Sequence, residues 1–202
     1  MHEEILTEEQ KKLLPLALSF ASDFNLVGGT AVALQIGHRL SADFDLFAEN
    51  DFDNEIIGRR AAEFFPIEKT QTDQKGQYTF YINNVQFTFM KYRFKIPYEI
   101  EWKKIKMPDL LTLGAMKLHA LGRRAKWKDY VDLYFIIKDH HAVKDLIKQA
   151  QKLFPGEVNE IDMRAQLQYF HFMNYDDQVI YMPSFKTTVQ IVQEQLRLFA
   201  KQ

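Results

Sequence analysis

The stretch from Asn25 to Phe47 constrains this chain more than any other. A short apolar run, Leu26-Val27, breaks at Gly28-Gly29, continues as Thr30-Ala31-Val32-Ala33-Leu34-Gln35-Ile36-Gly37, and closes as Asp43-Phe44-Asp45-Leu46-Phe47. A strand that enters a helix through a glycine turn leaves backbone N–H groups at Gly29 and Thr30 without intrahelical partners, and such groups can hold a phosphate. The alternation in the last five residues marks a second strand, with Asp43 and Asp45 on one face and Phe44 and Leu46 on the other. Adjacent carboxylates disfavour each other's ionisation unless a cation or hydrogen-bond donors compensate. Magnesium suits such a pair, with manganese in its place, because it takes one or two carboxylates together with substrate phosphates. Taken singly, the glycine pair reads as a turn and the aspartates as a solvated edge strand. Thirteen residues separate Gly29 from Asp43, and the two pieces together make the equipment of phosphoryl or nucleotidyl transfer.

Gly28-Gly29-Thr30, Gly37-His38-Arg39 and Ser41-Ala42-Asp43-Phe44-Asp45-Leu46-Phe47 resemble the first motif of the AbiEii/AbiGii toxin family of nucleotidyltransferases, within the polymerase-beta-like superfamily. The superfamily pattern of a glycine pair followed by two alternating aspartates is moderately specific, and the longer string is much more so. The resemblance implies an α+β fold, a nucleotidyltransferase-like mixed sheet flanked by helices with a C-terminal helical lobe. On this view residues 1–106 form the sheet lobe and residues 107–202 the helical lobe that completes the site.

In chain order, residues 7–22 read as a helix whose start, Thr7 with Gln10, is a capping box, and whose Pro15 predicts a break. Residues 23–27 read as a strand and residues 30–37 as the helix after the glycines. The acidic run 48–53 reads as a solvated loop in which Asp51 or Asp53 caps a helix over residues 54–65. Tyr78 to Ile82 and Val85 to Met90 alternate around Asn83-Asn84, the signature of a two-residue hairpin. The superfamily often places a third carboxylate on such a strand, and here Thr88 stands in its place, which puts a two-metal site in doubt. Residues 91–106 read as one more strand and an exposed loop around Pro97. Helices are expected over residues 142–154, 160–173 and 186–200, with 176–185 crossing between the last two.

A second constellation follows Met107-Pro108-Asp109, itself a helix start: Lys117, His119, Arg123-Arg124, then Lys126-Trp127-Lys128-Asp129-Tyr130-Val131-Asp132. On one continuous helix Lys117, Arg124, Lys128 and Asp132 share a stripe, whereas a break at Gly122 removes it. The resemblance assigns Lys117 to the nucleotide phosphates, matches Lys128 and Asp129 to a Lys-Asp pair of the active site, and matches Asp132 to a second aspartate. His38-Arg39 lies beside the aspartate strand, with Arg39 expected at the nucleotide. His119 reads as packing, and His140-His141 as a helix boundary that lacks the spacing to share zinc on a helix.

The 26 basic and 27 acidic residues give a formal charge of −1, so any contact with nucleic acid has to come from a local patch. Cysteine is absent, which excludes disulfides and thiolate metal sites. The first residues are acidic and polar, unlike a secretory signal, and no apolar run approaches the roughly 20 residues of a membrane helix, so a cytoplasmic protein is expected. The candidate site is Asp43, Asp45, Lys117 and Asp129 for chemistry, Asp43 and Asp45 for the metal, and Gly28, Gly29, Thr30, Arg39, Arg124 and Lys128 for the nucleotide. The resemblance further implies a nucleoside triphosphate donor, an RNA or tRNA acceptor, and a cognate antitoxin in a toxin–antitoxin or phage-defence setting. Three other readings stay open: a nucleotide-binding pseudoenzyme, suggested by Thr88; a structural or antitoxin-binding module; and a transferase that modifies a small molecule.

Overall fold

Phenylalanines at alternate positions build one face of the central sheet. In the computed structural model, which describes all residues except 125, 172, 174, 176 and 177, β1 (Asn25–Val27), β2 (Phe44–Ala48), β3 (Lys69–Gln74), β4 (Gln77–Ile82) and β5 (Val85–Lys91) form one sheet in the order β1-β2-β5-β4-β3. The β2–β5 pair is parallel and the other pairs are antiparallel, so the sheet is mixed. Phe44, Leu46, Phe80, Phe87 and Phe89 all point into the core. The Phe89 ring meets Phe20 at 4.7 Å, Phe24 at 5.0 Å and Phe80 at 5.7 Å between centroids. Because side chains alternate across a strand, burying this set turns Asp43, Asp45, Gln86 and Thr88 to the opposite face.

The hairpin at Asn83-Asn84 forms as expected, with φ of 49° and 60°, the left-handed pair that a two-residue connection requires. Asp53 caps α3 (Asn54–Ala62) by accepting from the Glu55 N–H at 2.8 Å, although this helix stops three residues short of Phe65. Strand β3 is absent from the sequence-based expectation: Lys-Thr-Gln-Thr-Asp-Gln has no apolar alternation, and an exposed edge strand needs none. Residues 91–106 hold two short strands rather than one, β6 (Ile100–Trp102) and β7 (Ile105–Met107), joined at Lys103-Lys104 with positive φ.

The expected break at Pro15 does not occur. Helix α1 (Glu8–Ser19) runs straight through it, with the Thr7–Gln10 capping box formed at its start. Lys11 and Pro15 are both exposed, so water can solvate the Lys11 carbonyl that has lost its donor, while Leu13, Leu16 and Ala17 hold the other face in the core. Helix α2 (Gly28–Ile36) leads from β1 toward β2.

Among the described residues, five α-helices follow the strands: α4 (Leu110–Leu121), α5 (Trp127–Asp139), α6 (Val143–Leu153), α7 (Glu160–Leu167) and α8 (Val189–Phe199). Helices α4 and α6 approach closely at Gly114, where an added Cβ would lie 2.6 Å from Leu146 Cδ2. Helix α5 is buried along most of its length, from Tyr130 and Val131 to Phe135 and Ile136. Helix α7 ends at Leu167, earlier than expected, where the Tyr130 hydroxyl reaches the carbonyls of Gln166 and Tyr169 at 3.1 and 2.9 Å. Residues 176 and 177 of the expected crossing segment lie outside the described residues. Among the described residues no helix is long and apolar enough to cross a membrane.

Replacing Pro15 by Ala restores a helical hydrogen bond to Lys11 without disturbing the buried face. The expected gain is about 1–2 kcal/mol in urea denaturation. A loss of stability would show that the proline sets the geometry of α1.

Candidate active site

The glycine pair gives two side chains room beside the backbone. Gly28 has φ of +70°, a left-handed conformation, and a Cβ there would collide with the Asp45 carboxylate. At Gly29 a Cβ would collide with the Arg39 guanidinium. The pair therefore seats Asp45 and Arg39 directly against the start of α2. The N-cap residue of α2 is Val27, which has no capping side chain, and both glycines are partly exposed. Their N–H groups lie in the first turn of α2, at the positive end of the helix dipole.

Thr30 serves the fold. Its hydroxyl donates to the Asp43 carbonyl and lies 2.8 Å from Ser41 Oγ, and the Thr30 side chain is buried. Gln10, fully buried in α1, donates to the same carbonyl at 3.3 Å. Two helices thus fix the start of β2, and with it the direction of the two aspartates. Asp43 and Asp45 are both half-buried. Burial first, and then the charge of Asp43, push the Asp45 carboxyl above its ordinary range, against the pull of Arg124, Lys117 and Lys126. In register Asp45 lies opposite Thr88 on β5, whose hydroxyl accepts from Gln86 Nε2 at 3.0 Å. The neighbour of Asp45 on the sheet is therefore neutral. Among the described residues no group of three or more histidines and carboxylates could hold a metal.

The helical half of the chain brings a buried ion cluster to this edge. Helix α4 stops at Leu121 and α5 starts at Trp127, so the single stripe from Lys117 to Asp132 does not exist; the alternative, a break at Gly122, is the one realised. Lys117 and Asp132 meet across the two helices instead. Lys117 Nζ lies 2.5 Å from Asp129 Oδ1 and 2.9 Å from Asp132 Oδ2. Arg39 grips Asp132 side-on, Nε to Oδ1 at 2.7 Å and Nη2 to Oδ2 at 2.9 Å, and His38 Nε2 lies 2.8 Å from Oδ1. Asp132 and His38 are fully buried.

The protonation states follow from these contacts. Burial works to raise the Asp132 carboxyl, but Arg39, Lys117 and the hydrogen bond from His38 hold it well below the usual range. Burial pulls Lys117 down and the charges of Asp129 and Asp132 more than reverse it, so its ammonium is raised. Burial lowers His38 despite Asp132, which keeps the imidazole neutral. The cluster holds two cations, Arg39 and Lys117, and two carboxylates, Asp129 and Asp132.

These contacts separate the two aspartates that sequence could not. Both oxygens of Asp132 are consumed by Arg39, His38 and Lys117. Asp129 keeps Oδ2 buried and without a hydrogen bond among the described residues, 3.7 Å from Arg124 Nε. Lys117, with three donors, has given two to carboxylates. Arg124 is exposed, Lys128 is half-buried, and Arg39 is buried beneath the glycines with its third donor nitrogen on the Leu40 carbonyl. His119 packs flat on Phe154 with ring centroids 3.9 Å apart, as expected of a packing residue. Sequence reasoning placed Gln10 in the capping box but missed its bond to the Asp43 carbonyl, and left Asp132 without a role. The signal for Asp132 was its position three residues after Asp129, one turn along the same helix face.

A family model described as "Nucleotidyl transferase AbiEii toxin, Type IV TA system" matches residues 16–107 and 93–174. An uncharacterized protein of Aquifex aeolicus (strain VF5) is 30% identical over 164 residues, 78% of each chain. Among solved structures, MenT4, a nucleotidyltransferase toxin from Mycobacterium tuberculosis H37Rv, superposes with a TM-score of 0.62 at 16% identity, covering 96% of this chain and 82% of its own. JHP933 from Helicobacter pylori gives 0.60 at 15% identity, covering 97% and 92%. At these identities the two structures establish the fold.

Asp132→Asn leaves the Arg39 and Lys117 charges buried and undercompensated. It is expected to cost about 3–5 kcal/mol in urea denaturation. A loss below about 1 kcal/mol, the range of exposed ion pairs, would show that the cluster is not sealed from water.

Proposed function

The chain belongs to the AbiEii family of nucleotidyltransferase toxins, and on that premise we propose that it transfers a nucleoside monophosphate from a nucleoside triphosphate to an RNA acceptor, such as a tRNA end, in the cytoplasm. The observation that supports this reading is a chain of contacts through the open N-terminus of α2: Gly28 lies against Asp45, Gly29 against Arg39, and Arg39 binds Asp132, which pairs with the same Lys117 that holds Asp129. Residues 1–106 supply the carboxylates and the helix end, and residues 107–202 supply Lys117, Arg124, Lys128 and Asp129. A cognate antitoxin is the partner expected of such a toxin.

Magnesium, or manganese, fits the donor set. Two adjacent carboxylates, one pushed upward by burial and by the other's charge, are eased by a hard cation that takes its remaining oxygens from water and phosphate. Asp43 and Asp45 would hold it, and when bound it would offset charge on the triphosphate and its leaving group. With Thr88 beside Asp45, one cation suits the site better than two.

The chain's own groups account for the rest. The Gly28 and Gly29 N–H groups receive phosphate oxygens at the positive end of α2. Lys117, fixed by two carboxylates, turns its third N–H toward the phosphates, and Arg124 and Lys128 add charge from the helical side. Asp129 Oδ2 takes the proton of the acceptor hydroxyl as that oxygen bonds to the α-phosphorus. The bond from the α-phosphorus to the bridging oxygen breaks, and pyrophosphate leaves. Arg39 and His38 act through Asp132, which sets the angle of Lys117. A second reading, nucleotide binding without turnover, rests on the neutral Thr88 and predicts donor affinity without transfer.

The test is transfer of label from each α-labelled nucleoside triphosphate to total RNA, with and without Mg²⁺. Asp45→Asn is expected to abolish labelling with the fold intact by circular dichroism. Asp129→Asn is expected to lower kcat by about 10²-fold or more while nucleotide affinity stays within about twofold. Metal-dependent nucleotide binding with no labelled product under any donor would establish the second reading instead.

A further inference from the structure

With a formal charge of −1 over the whole chain, attraction for a polyanion has to be local, and one basic patch adjoins the carboxylate pair. Phe47 follows Asp45 on the same face of β2 and is partly exposed, as is Tyr92. The two rings stack with centroids 4.9 Å apart and planes at 30°, and Tyr92 meets the edge of Phe94 at 5.5 Å. Arg93 lies over Phe94 at 4.7 Å. Arg93 and Arg123 both pair with Glu157, yet they remain 68% and 50% exposed. Counting Arg124, which lies 3.7 Å from Asp129, three arginines here pair with two carboxylates. Arg123 also meets His119, whose ring stands edge-on to Phe94 at 5.6 Å. From Asp45 the contacts therefore run outward along β2 to Phe47, then through Tyr92 and Phe94 to Arg93, and through Glu157 to Arg123.

A nucleoside triphosphate carries its charge at one end, where Lys117 and Arg124 already stand. Cations beyond a pair of rings suit a ligand whose charge continues past the base. We propose that Phe47, Tyr92, Arg93 and Arg123 form a track for single-stranded RNA, seating the last nucleotides of the acceptor strand beside Asp43 and Asp45. This rests on the nucleotidyltransferase reading and adds the place and chemistry of acceptor binding. Bases stack on the exposed parts of Phe47 and Tyr92, an interaction that tolerates any base, and the arginines take the phosphodiesters. Glu157 holds both arginines in place, since each gives it only part of its donor set.

The test is fluorescence anisotropy with a short labelled single-stranded RNA, alongside calorimetric titration of Mg²⁺ and nucleoside triphosphate. The double variant Arg93→Ala/Arg123→Ala is expected to bind RNA roughly tenfold more weakly or worse. Its log–log salt slope is expected to be shallower by about 1.4, at about 0.7 for each phosphate that is no longer neutralised. Tyr92→Leu is expected to weaken RNA about fivefold with the slope unchanged. Nucleotide affinity is expected to stay at the wild-type value in both. The track is overturned if RNA affinity is unchanged in both variants, if poly-glutamate displaces RNA at equal charge concentration, or if nucleotide affinity falls in parallel, which would mark the patch as the donor's base site. Failure of the wild-type protein to bind nucleotide, with RNA binding and its reduction in the variants as expected, would overturn the transferase reading and leave the track standing.

Discussion

A single buried carboxylate ties the structure together. Asp132 on α5 accepts from Arg39 and His38, which lie between α2 and β2, and pairs with Lys117 on α4. Removing such groups from water costs several kcal/mol for each ion, and good geometry with filled hydrogen bonds is what offsets it. Here the offset takes the form of a side-on guanidinium, an imidazole and an ammonium on one carboxylate. The sheet edge and the two central helices are thereby fixed to one another. What the cluster contributes is a defined position for Lys117 more than net stability.

The glycine pair belongs to the same arrangement. Because Gly28 and Gly29 carry no Cβ, Asp45 and Arg39 both reach the start of α2, and the aspartate strand and the ion cluster meet within one turn of helix. Three partly satisfied sets of groups converge there. Backbone N–H groups lack a capping side chain, a carboxylate pair repels itself, and Asp129 retains an oxygen without a hydrogen bond among the described residues. In the proposed reaction a metal-bound triphosphate and an acceptor hydroxyl engage all three. Two neighbours one helical turn apart differ in this respect: Asp132 has both oxygens engaged within the cluster, whereas Asp129 keeps Oδ2 without a hydrogen bond among the described residues, which is why we propose Asp129 for the chemistry.

The sequence made the centre of the fold legible wherever periodicity and turn chemistry coincide. Phe44 and Leu46 alternating with Asp43 and Asp45 fixed the facing of β2, and Asn83-Asn84 fixed the hairpin, because each pattern has one good backbone solution. Strand β3 was silent, since an exposed edge strand needs no apolar alternation. Pro15 misled because its effect depends on whether the orphaned carbonyl reaches water, which only the tertiary structure decides. At the site, residue types were readable and their partners were not. Arg39 and Thr30 read as nucleotide contacts, and the structure turns both side chains inward, to Asp132 and to the Asp43 carbonyl. The difference between Asp129 and Asp132 lies in contacts across 90 or more residues of chain, such as that from Arg39, and no local pattern records it.

The most direct test of this site is anomalous diffraction from crystals grown with Mn²⁺ and a non-hydrolysable nucleoside triphosphate. The expected result is one strong manganese peak held by Asp43 and Asp45, phosphate oxygens on the Gly28 and Gly29 N–H groups, and the Lys117 ammonium on the triphosphate while still bound to Asp132. A manganese ion bound elsewhere, or a nucleotide seated away from the start of α2, would contradict it.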